Sequence, residues 1–393
     1  MIRRVLPALV ILAIVMTAAP ASARPNRDRA AAVAVSLRAS ATEVRPGVEV
    51  RLSGTVDPAA SGETVRIRDG AGTLVATLGT GPTGGFHAFV TPGATTTYHA
   101  EWSGLDSPEV TVGVRAVISG LTFSNVLLFA TARVTGTAAP ARPGEDVTVQ
   151  LLRRGRIVAE RHATMAAAGR FATSFPIKDP GTYRVRVSFR APDLLAGLKV
   201  SNARTPPLPN LHEGSRGRFV RLLEGRLRAL HYHLTRPDRR FNYRTSDAVM
   251  AFRKVQKMAR NHAVSDGVWR ALARPRRILP RSRAPGFHIE IDQRRGVLYT
   301  VQDGAVKAII HTSTGKPSTP TYDGTFSVAR KLAGYSEHRL YYPSFFDGNR
   351  AIHGWPDVPS YNASHGCARV PYWTARWIFG LARMGTRVVI YHS

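Results

Sequence analysis

The sequence has a single cysteine, Cys367, among its 393 residues. No intramolecular disulfide can form, so the folded domains must be stable through their cores alone. The sequence also lacks a glycine-rich phosphate loop and a dinucleotide-binding fingerprint. Its histidines show no metal-ligand spacing with thiolates or carboxylates, and the nearest approach is the pair His231 and His233. We therefore expect neither a cofactor nor a metal.

Long hydrophobic runs are also scarce. The one at the N-terminus, Val5 to Ala19, follows the basic residues Arg3 and Arg4 and precedes a small-residue site that ends at Ala23. This order predicts a secretory signal peptide at 1–23, cleaved after Ala23. An uncleaved membrane anchor is the alternative, because the run is nearly long enough to span a bilayer. We expect an exported protein of the cell wall or a periplasm-like space, with no membrane span after cleavage.

Acidic residues are few. The sequence has 26 Asp and Glu against 55 Lys and Arg, a net charge of +29. Such a field attracts polyanions. The predicted export of the chain and its lack of a nucleic-acid-binding module argue against nucleic acid as the partner. We expect anionic wall polymers or membrane headgroups instead, although part of the arginine excess is explained equally well by compositional bias.

The pattern of residues 33–200 predicts two consecutive copies of one β-structure. Short alternating runs are separated by Gly, Pro, Asp and Ser. Landmark residues of the first copy recur in the second at a nearly constant offset. They are Gly54 with Gly136, Pro58 with Pro140, Gly62 with Gly144, Phe86 with Phe171 and Tyr98 with Tyr183. The repeat predicts two tandem immunoglobulin-like sandwiches at 33–116 and 117–200. Because no aromatic platform for a carbohydrate is evident, we interpret both as spacers.

A proline-rich linker, 201–210, precedes a helical segment at 211–273. Apolar residues at helical spacing predict a first helix, with Val220, Leu223, Leu227 and Leu230 on one face. The second helix is predicted to start at Thr245-Ser246-Asp247, which offers N-cap chemistry. The segment resembles three-helix peptidoglycan-binding domains in its core and turn residues. These are Gly214, Gly217, Val220, Tyr243, Thr245, Ala248, Val249, Phe252 and Asp266 to Trp269. The resemblance implies wall binding, and a degenerate spacer is the alternative.

A basic linker at 274–286 leads to a last, mainly β domain at 287–393. Asp303-Gly304 lies between two apolar alternating runs and predicts a hairpin. Pro371 suits the first turn of a helix, which is followed by a final strand over 386–391. The fold class expected for the whole chain is therefore multidomain and mainly β, with one small three-helix domain.

Reactive side chains concentrate in the stretch from His353 to Arg369. This short stretch holds the lone thiol, two histidines and an arginine. An imidazole or a positive field beside a thiol favours the nucleophilic thiolate. Backbone N–H groups or a second imidazole would stabilise an oxyanion. The alternative for Cys367 is an inert, buried thiol.

This stretch resembles the catalytic signature of the YkuD-type L,D-transpeptidases. The resemblance rests on His353-Gly354 and on the contiguous Ser364-His365-Gly366-Cys367, followed by Arg369. Upstream, Thr314-Gly315 and the Thr319 to Phe326 segment match further elements of the family. The spacer between His353 and Ser364 has ten residues, fewer than in many members. For about 287–391 the resemblance implies a β-sandwich-like catalytic fold.

The resemblance implies a peptidoglycan cross-linking enzyme acting on stem peptides. Cys367 would attack the donor peptide, release its terminal D-alanine and form a thioester, which an acceptor amine resolves. His353 would be the general base and acid. His365 would line the oxyanion site with the N–H groups of Gly366 and Cys367. The roles of the two histidines are open to exchange.

Three further residues belong to the predicted site. Arg369 would bind a substrate carboxylate and lower the pKa of the thiol, with a structural salt bridge as its alternative. Ser364 would hold the turn before the cysteine. The backbone of Gly354 would orient His353.

The order of these residues along the chain separates the other candidate functions. With water as the acceptor, the same site gives an L,D-carboxypeptidase. Papain-like and NlpC-type peptidases place cysteine before histidine, whereas only His392 follows Cys367 here. Sortase-like enzymes place histidine first but lack Ser-His-Gly-Cys. A wall-binding scaffold without catalysis is the remaining alternative.

Overall fold

The computed structural model describes residues 33–393, so the predicted signal peptide lies outside the described residues. The chain divides into two compact units, and the boundary in the sequence falls between Val114 and Arg115. Within the described part of the chain, no helix has the length and apolar character needed to cross a membrane.

The described part of the first unit, residues 33–114, consists of two sheets. One contains β1, β4, β2 and β7, and the other contains β3, β10, β8, β5, β6 and β9. The strands are β1 Ala34–Val35, β2 Arg38–Ala39, β3 Glu43–Val44, β4 Val50–Asp57, β5 Thr64–Asp69, β6 Leu74–Gly79, β7 Gly85–Val90, β8 Thr96–Trp102, β9 Leu105–Asp106 and β10 Val110–Val114.

The second unit begins with two more sheets, ordered β11-β12-β15 and β14-β13-β16-β17. The strands are β11 Val117–Ser124, β12 Thr131–Ala139, β13 Asp146–Arg153, β14 Arg156–Thr164, β15 Arg170–Pro176, β16 Tyr183–Phe189 and β17 Gly197–Val200.

The repeat seen in the sequence has a physical counterpart in both units. A Cβ on Gly54 would lie 2.5 Å from the ring of Phe86, and one on Gly136 would lie 2.6 Å from the ring of Phe171. Each pair therefore packs an aromatic ring against bare backbone, which only glycine allows. The immunoglobulin-like identity of the repeats stays a prediction.

Three helices follow: α1 Arg218–Ala229, α2 Tyr243–Val255 and α3 Asp266–Ala273. Helix α1 buries Val220, Leu223 and Leu227, as its apolar spacing predicts. The predicted start of α2 at Thr245 was wrong. Asn242 is the N-cap, and its side chain accepts hydrogen bonds from the N–H groups of Arg244 and Thr245. The Thr245 hydroxyl instead donates to the buried carboxylate of Glu224 at 2.9 Å.

The C-terminal part has two sheets and one helix. A five-stranded sheet is ordered β20-β19-β18-β26-β21, and a four-stranded sheet is ordered β22-β23-β24-β25. The elements are β18 Phe287–Asp292, β19 Val297–Gln302, β20 Ala305–His311, β21 Gly324–Ser327, β22 Arg330–Lys331, β23 Tyr341–Asp347, β24 Arg350–Trp355, β25 Ala368–Pro371, α4 Tyr372–Leu381 and β26 Arg387–Tyr391. The hairpin prediction is confirmed, since Asp303 and Gly304 both take positive φ between β19 and β20.

Strand β19 is buried on both faces. Val297, Tyr299 and Val301 belong to the core of the helices, while Leu298 belongs to the core between the two C-terminal sheets. Helices α1–α3 thus cover one face of the five-stranded sheet, and the four-stranded sheet covers the other. The helical segment and the last domain share one continuous apolar core.

Lys254 fastens α2 to this sheet. Its side chain is 3% exposed, and Nζ donates to the carbonyls of Gly296 and Thr312 and to Nδ1 of His311, at 2.9–3.0 Å. Nε2 of His311 then donates to the carbonyl of Val358 at 2.9 Å. Burial holds the pKa of Lys254 well below its ordinary value. Three polar partners surround the buried nitrogen, so Lys254 bridges the two segments.

Candidate active site

The site is built on two parallel strands, β24 and β25. Ile352 pairs with Ala368 and His353 pairs with Arg369. Cys367 directly precedes β25, next to the first residues of β24. Its Sγ accepts a hydrogen bond from the N–H of Ala351 at 3.4 Å and lies 3.7 Å from the carbonyl oxygen of Asn349. The pairing of two distant segments therefore brings the thiol and His353 to the same strand pair.

The turn before the thiol is held by hydroxyl groups. Ser364 Oγ donates to the carbonyl of Cys367 at 2.6 Å and accepts from the N–H of Gly366 at 3.1 Å. Thr321 Oγ1 donates to the carbonyl of Gly366 at 2.8 Å. The N–H of Gly366, predicted to serve an oxyanion, is thus already occupied. The backbone N–H of Cys367 and the side chain of His365 are the remaining candidates for that role.

The backbone conformation at position 366 requires a glycine. Its φ is +109°, and a Cβ at this position would lie 2.8 Å from Nε of Arg350. Any side chain would therefore meet both an unfavourable backbone conformation and a guanidinium group. This close approach lets Arg350 lie beside the cysteine turn.

His353 is 2% exposed, and its tautomer follows from its neighbour. Nδ1 lies 2.9 Å from the carbonyl oxygen of Gly354. A carbonyl only accepts, so Nδ1 carries the proton and Nε2 keeps a lone pair. Burial, with a smaller contribution from the charge of Arg369, lowers the pKa of His353 to about 4. The ring is neutral at ordinary pH and can accept a proton at Nε2.

Gly354 also allows close packing behind the histidine. A Cβ here would lie 2.7 Å from the Cβ of Ala375 on α4 and 3.0 Å from the ring of Tyr341. Strand β24 therefore lies against both α4 and β23, which fixes the backbone carbonyl that His353 uses.

The thiol is protonated at rest. Burial raises the pKa of Cys367, and the Ala351 N–H and the charges of Arg369 and Arg350 oppose this only in part. Cys367 and His353 are therefore both neutral at ordinary pH.

Arg369 lies over an aromatic ring. Its guanidinium carbon is 4.3 Å from the ring centroid of Trp355, and its Nε is buried without a hydrogen-bond partner. Nη1 of Arg369 donates a long hydrogen bond to the carbonyl oxygen of Ala363, at 3.5 Å. Among the described residues its side chain forms no ion pair with a carboxylate, so the structural salt bridge considered above is absent there.

The sequence motif missed one residue of the site, Arg350. It pairs with Asp347 at 2.8 Å, and its guanidinium carbon lies 4.2 Å from the centroid of Tyr322. Nothing in the sequence marks Arg350, because it reaches the thiol only through the strand pairing. His365, by contrast, belongs to the motif but is exposed.

One group among the described residues could place three ligand atoms on an ion: His99, Glu101 and Asp106. Oε1 of Glu101 already accepts a hydrogen bond from Arg68 Nε at 2.7 Å. One of the three carboxylate or imidazole groups is therefore already paired with a guanidinium, and the absence of a metal stays an expectation.

Alkylation of the lone thiol should follow its raised pKa. A free cysteine reacts as thiolate, with a pKa of about 8.5. The iodoacetamide rate of the folded protein is therefore expected to keep rising past pH 9. The same chain unfolded in guanidinium should level off near the ordinary value, and it serves as the control. A folded-state curve that levels off below pH 8 would contradict the neutral resting pair.

Comparison with known proteins identifies the domain. Residues 286–390 match the family model of the L,D-transpeptidase catalytic domain, YkuD. A crystal structure of the L,D-transpeptidase (residues 123–326) from Xylanimonas cellulosilytica is 32% identical. The match covers 47% of this chain and 100% of that one, with a TM-score of 0.45.

Other solved structures match more weakly. An L,D-transpeptidase from Mycobacterium tuberculosis is 18% identical over 28% of this chain and 59% of its own, with a TM-score of 0.26. The C442S mutant of the Enterococcus faecium L,D-transpeptidase is 26% identical over 27% and 50%, with a TM-score of 0.25. A search of curated proteins gives no match.

Proposed function

We propose that this chain, which belongs to the L,D-transpeptidase family through its catalytic domain at residues 286–390, cross-links peptidoglycan stem peptides through a thioester on Cys367. The observation that carries the proposal is the strand pairing of β24 with β25. It brings a neutral, oriented imidazole to the same strand pair as the only thiol of the chain.

Acylation starts from the neutral pair. His353 Nε2 takes the proton of Cys367 as the sulfur attacks the carbonyl carbon that precedes the donor's terminal D-residue. The C–N bond then breaks, and the imidazolium returns the proton to the leaving amine. The products are a thioester and free D-alanine. Because the pKa of His353 is about 4, the base is available from about pH 4 upward.

Positive groups assist the same step. The N–H of Cys367 and the ring of His365 are the donors we assign to the developing oxyanion. Arg350 and Arg369 lower the pKa of the thiol against the effect of burial, and so favour charge on sulfur. Arg369 also offers a buried, unpartnered Nε for a donor carboxylate.

The second step transfers the acyl group. A primary amine of an acceptor stem attacks the thioester, loses a proton to His353, and expels the sulfur of Cys367, which recovers its proton. With water in place of the amine, the same intermediate gives an L,D-carboxypeptidase. Ser364 and Gly366 keep the turn in place during both steps through the hydrogen bond between them.

The setting of the reaction is part of the proposal. The chain acts outside the cytoplasm after cleavage at Ala23, with anionic wall polymers as partners of its positive surface. The repeats at 33–200 serve as spacers. The helical segment binds the wall as one body with the catalytic domain, since they share a core.

Product analysis tests the reaction. We expect a tetrapeptide muropeptide to give a mass adduct on the full chain, followed by cross-linked dimers and one D-alanine per turnover. A carbapenem should leave an adduct on the same thiol. Shortened tripeptide as the sole product would assign the carboxypeptidase instead. No adduct with either reagent would overturn the enzymatic function and leave the wall-binding scaffold.

A further inference from the structure

The loop that joins the two parts of the candidate site has no helix or strand of its own. It comprises residues 356–363, between Trp355 at the end of β24 and Ser364 in the turn before the thiol. We call it the site loop. Its backbone groups have no partners from regular structure, so side chains or water must pair them. The position of Ser364 therefore depends on what anchors this loop.

Hydrogen bonds to the catalytic domain hold the second half of the site loop. Ser313 Oγ donates to the carbonyl of Tyr361 at 2.7 Å and accepts from the N–H of Ala363 at 3.2 Å. Asn362 Nδ2 donates to the carbonyl of Gln293 at 3.3 Å. The rest of the loop is held by a different part of the chain.

One anchor of the site loop comes from the helical segment. Arg260, in the connection between α2 and α3, donates from Nη1 to the carbonyl of Ser360 at 2.8 Å. Its Nη2 donates to the carbonyl of Arg294 at 2.8 Å, in the connection between β18 and β19. A single guanidinium thus ties the middle of the site loop to the five-stranded sheet.

A second anchor reaches the loop from Lys254 through His311. Nζ of Lys254 donates to Nδ1 of His311, and Nε2 of His311 donates to the carbonyl of Val358, both at 2.9 Å. The two side chains are 3% and 1% exposed, so water competes little for these bonds. The helical segment therefore acts on the site loop at Val358 and again at Ser360.

The same lysine also holds the segment that lies beside the thiol turn. Its Nζ donates to the carbonyl of Thr312, and Thr312 Oγ1 donates to the carbonyl of Arg369 at 2.6 Å. Ser313 exchanges two backbone hydrogen bonds with Arg369, and the N–H of Ser364 donates to the carbonyl of Thr314 at 3.0 Å. This segment therefore supports the chain on both sides of the nucleophile.

We propose that Lys254 and Arg260 are positioning residues, through which the helical segment holds the site loop and the thiol turn in their reactive arrangement. The proposal rests on the proposed function for the reaction that the site performs. The apolar core already joins the helices to the sheet, so docking alone does not require donors aimed at loop carbonyls. Both side chains act through the backbone that they hold, at Val358, Ser360 and Thr312.

The variant Arg260→Met tests the proposal on an exposed side chain. Full-length wild type and variant are mixed with a carbapenem over a range of concentrations, and acylation is followed by intact mass. We expect the maximal acylation rate to fall about three- to tenfold, less than the roughly 10²-fold cost of a 1 Å misplacement, because the other anchors remain. The half-saturating concentration should change by less than about twofold, because binding itself is kept. The unfolding temperature should stay nearly unchanged, since exposed contacts contribute little to stability.

Two further variants separate positioning from a loss of charge. Arg260→Lys keeps a donor for the Ser360 carbonyl and should recover part of the maximal rate. Arg228→Met removes an exposed positive charge of α1 and is the matched control, which should keep the wild-type rate. An unchanged maximal rate in Arg260→Met, an equal fall in Arg228→Met, or a change confined to the half-saturating concentration would overturn the proposal.

Lys254→Met removes the buried donor with little change in side-chain length. The maximal rate should fall at least as far as in Arg260→Met, and the unfolding temperature should also fall because buried acceptors lose their partner. A folded Lys254→Met chain that is acylated at the wild-type rate would refute the role of Lys254.

Hydrogen exchange separates this proposal from the proposed function, because it needs no turnover. In Arg260→Met, fragments that cover the site loop and Ser364 should exchange faster than in the wild type and in Arg228→Met. Acylation of the wild type, with equal exchange and equal rates in all variants, would refute the positioning and keep the enzyme. Faster exchange in Arg260→Met, when the wild type never becomes acylated, would keep the loop anchor and refute the enzyme.

Discussion

Replacing Cys367 with alanine should abolish acylation, with a loss of at least about 10⁴-fold in the rate of donor cleavage. Removing the nucleophile of a covalent mechanism leaves only binding and oxyanion stabilisation, and such losses are among the largest that single substitutions cause. The mass adduct with a carbapenem should disappear in the same variant, because the chain has no second thiol.

Two measurements keep this result interpretable. The unfolding temperature of Cys367→Ala should stay near that of the wild type, since the hydrogen bonds of the thiol to the described residues are long, at 3.4 and 3.7 Å. Peptide binding should also survive. Residual adduct formation in this variant would show that another group is the nucleophile.

Replacing His353 with glutamine should lower the acylation rate by about 10²- to 10⁴-fold, the range for loss of a general base. The difference in acylation rate between this variant and the wild type should become smaller as the pH rises through the pKa of the thiol. Because burial raises that pKa, the recovery should appear only in alkaline solution. There the sulfur loses its proton to solvent, and the base is no longer needed.

His365→Gln is the matched control for this experiment. His365 is exposed and has the same side-chain chemistry, so it reports on the oxyanion role alone. Its loss should cost less than that of His353 and should not recover at high pH. A larger loss in His365→Gln, with recovery in alkali, would exchange the roles of the two histidines.

The sequence predicted those features that depend on local chemistry. Asp303-Gly304 specified a hairpin because both residues tolerate positive φ. The spacing of Val220, Leu223 and Leu227 specified the buried face of α1. The motif around Cys367 predicted the family, which the match at 286–390 confirmed.

Features that depend on long-range pairing were not predictable. Arg350 reaches the cysteine turn through the pairing of β24 with β25, and no local pattern marks it. The prediction for the N–H of Gly366 failed for a local reason instead, because this N–H donates to the Ser364 hydroxyl two residues before it and not to an oxyanion. Thr245 resembles an N-cap in the sequence, but its hydroxyl donates to Glu224 on the preceding helix.

The buried amine of Lys254 sets a limit on how this enzyme can be divided. The family match begins at residue 286, but the lysine that bonds to Gly296, His311 and Thr312 lies on α2, well before that boundary. Val297, Tyr299 and Val301 likewise have their apolar neighbours on α1–α3. A gene rearrangement that cut the chain at the family boundary would transfer half a core and strip one face of a sheet. The heritable module is therefore the helices and the catalytic sheets together.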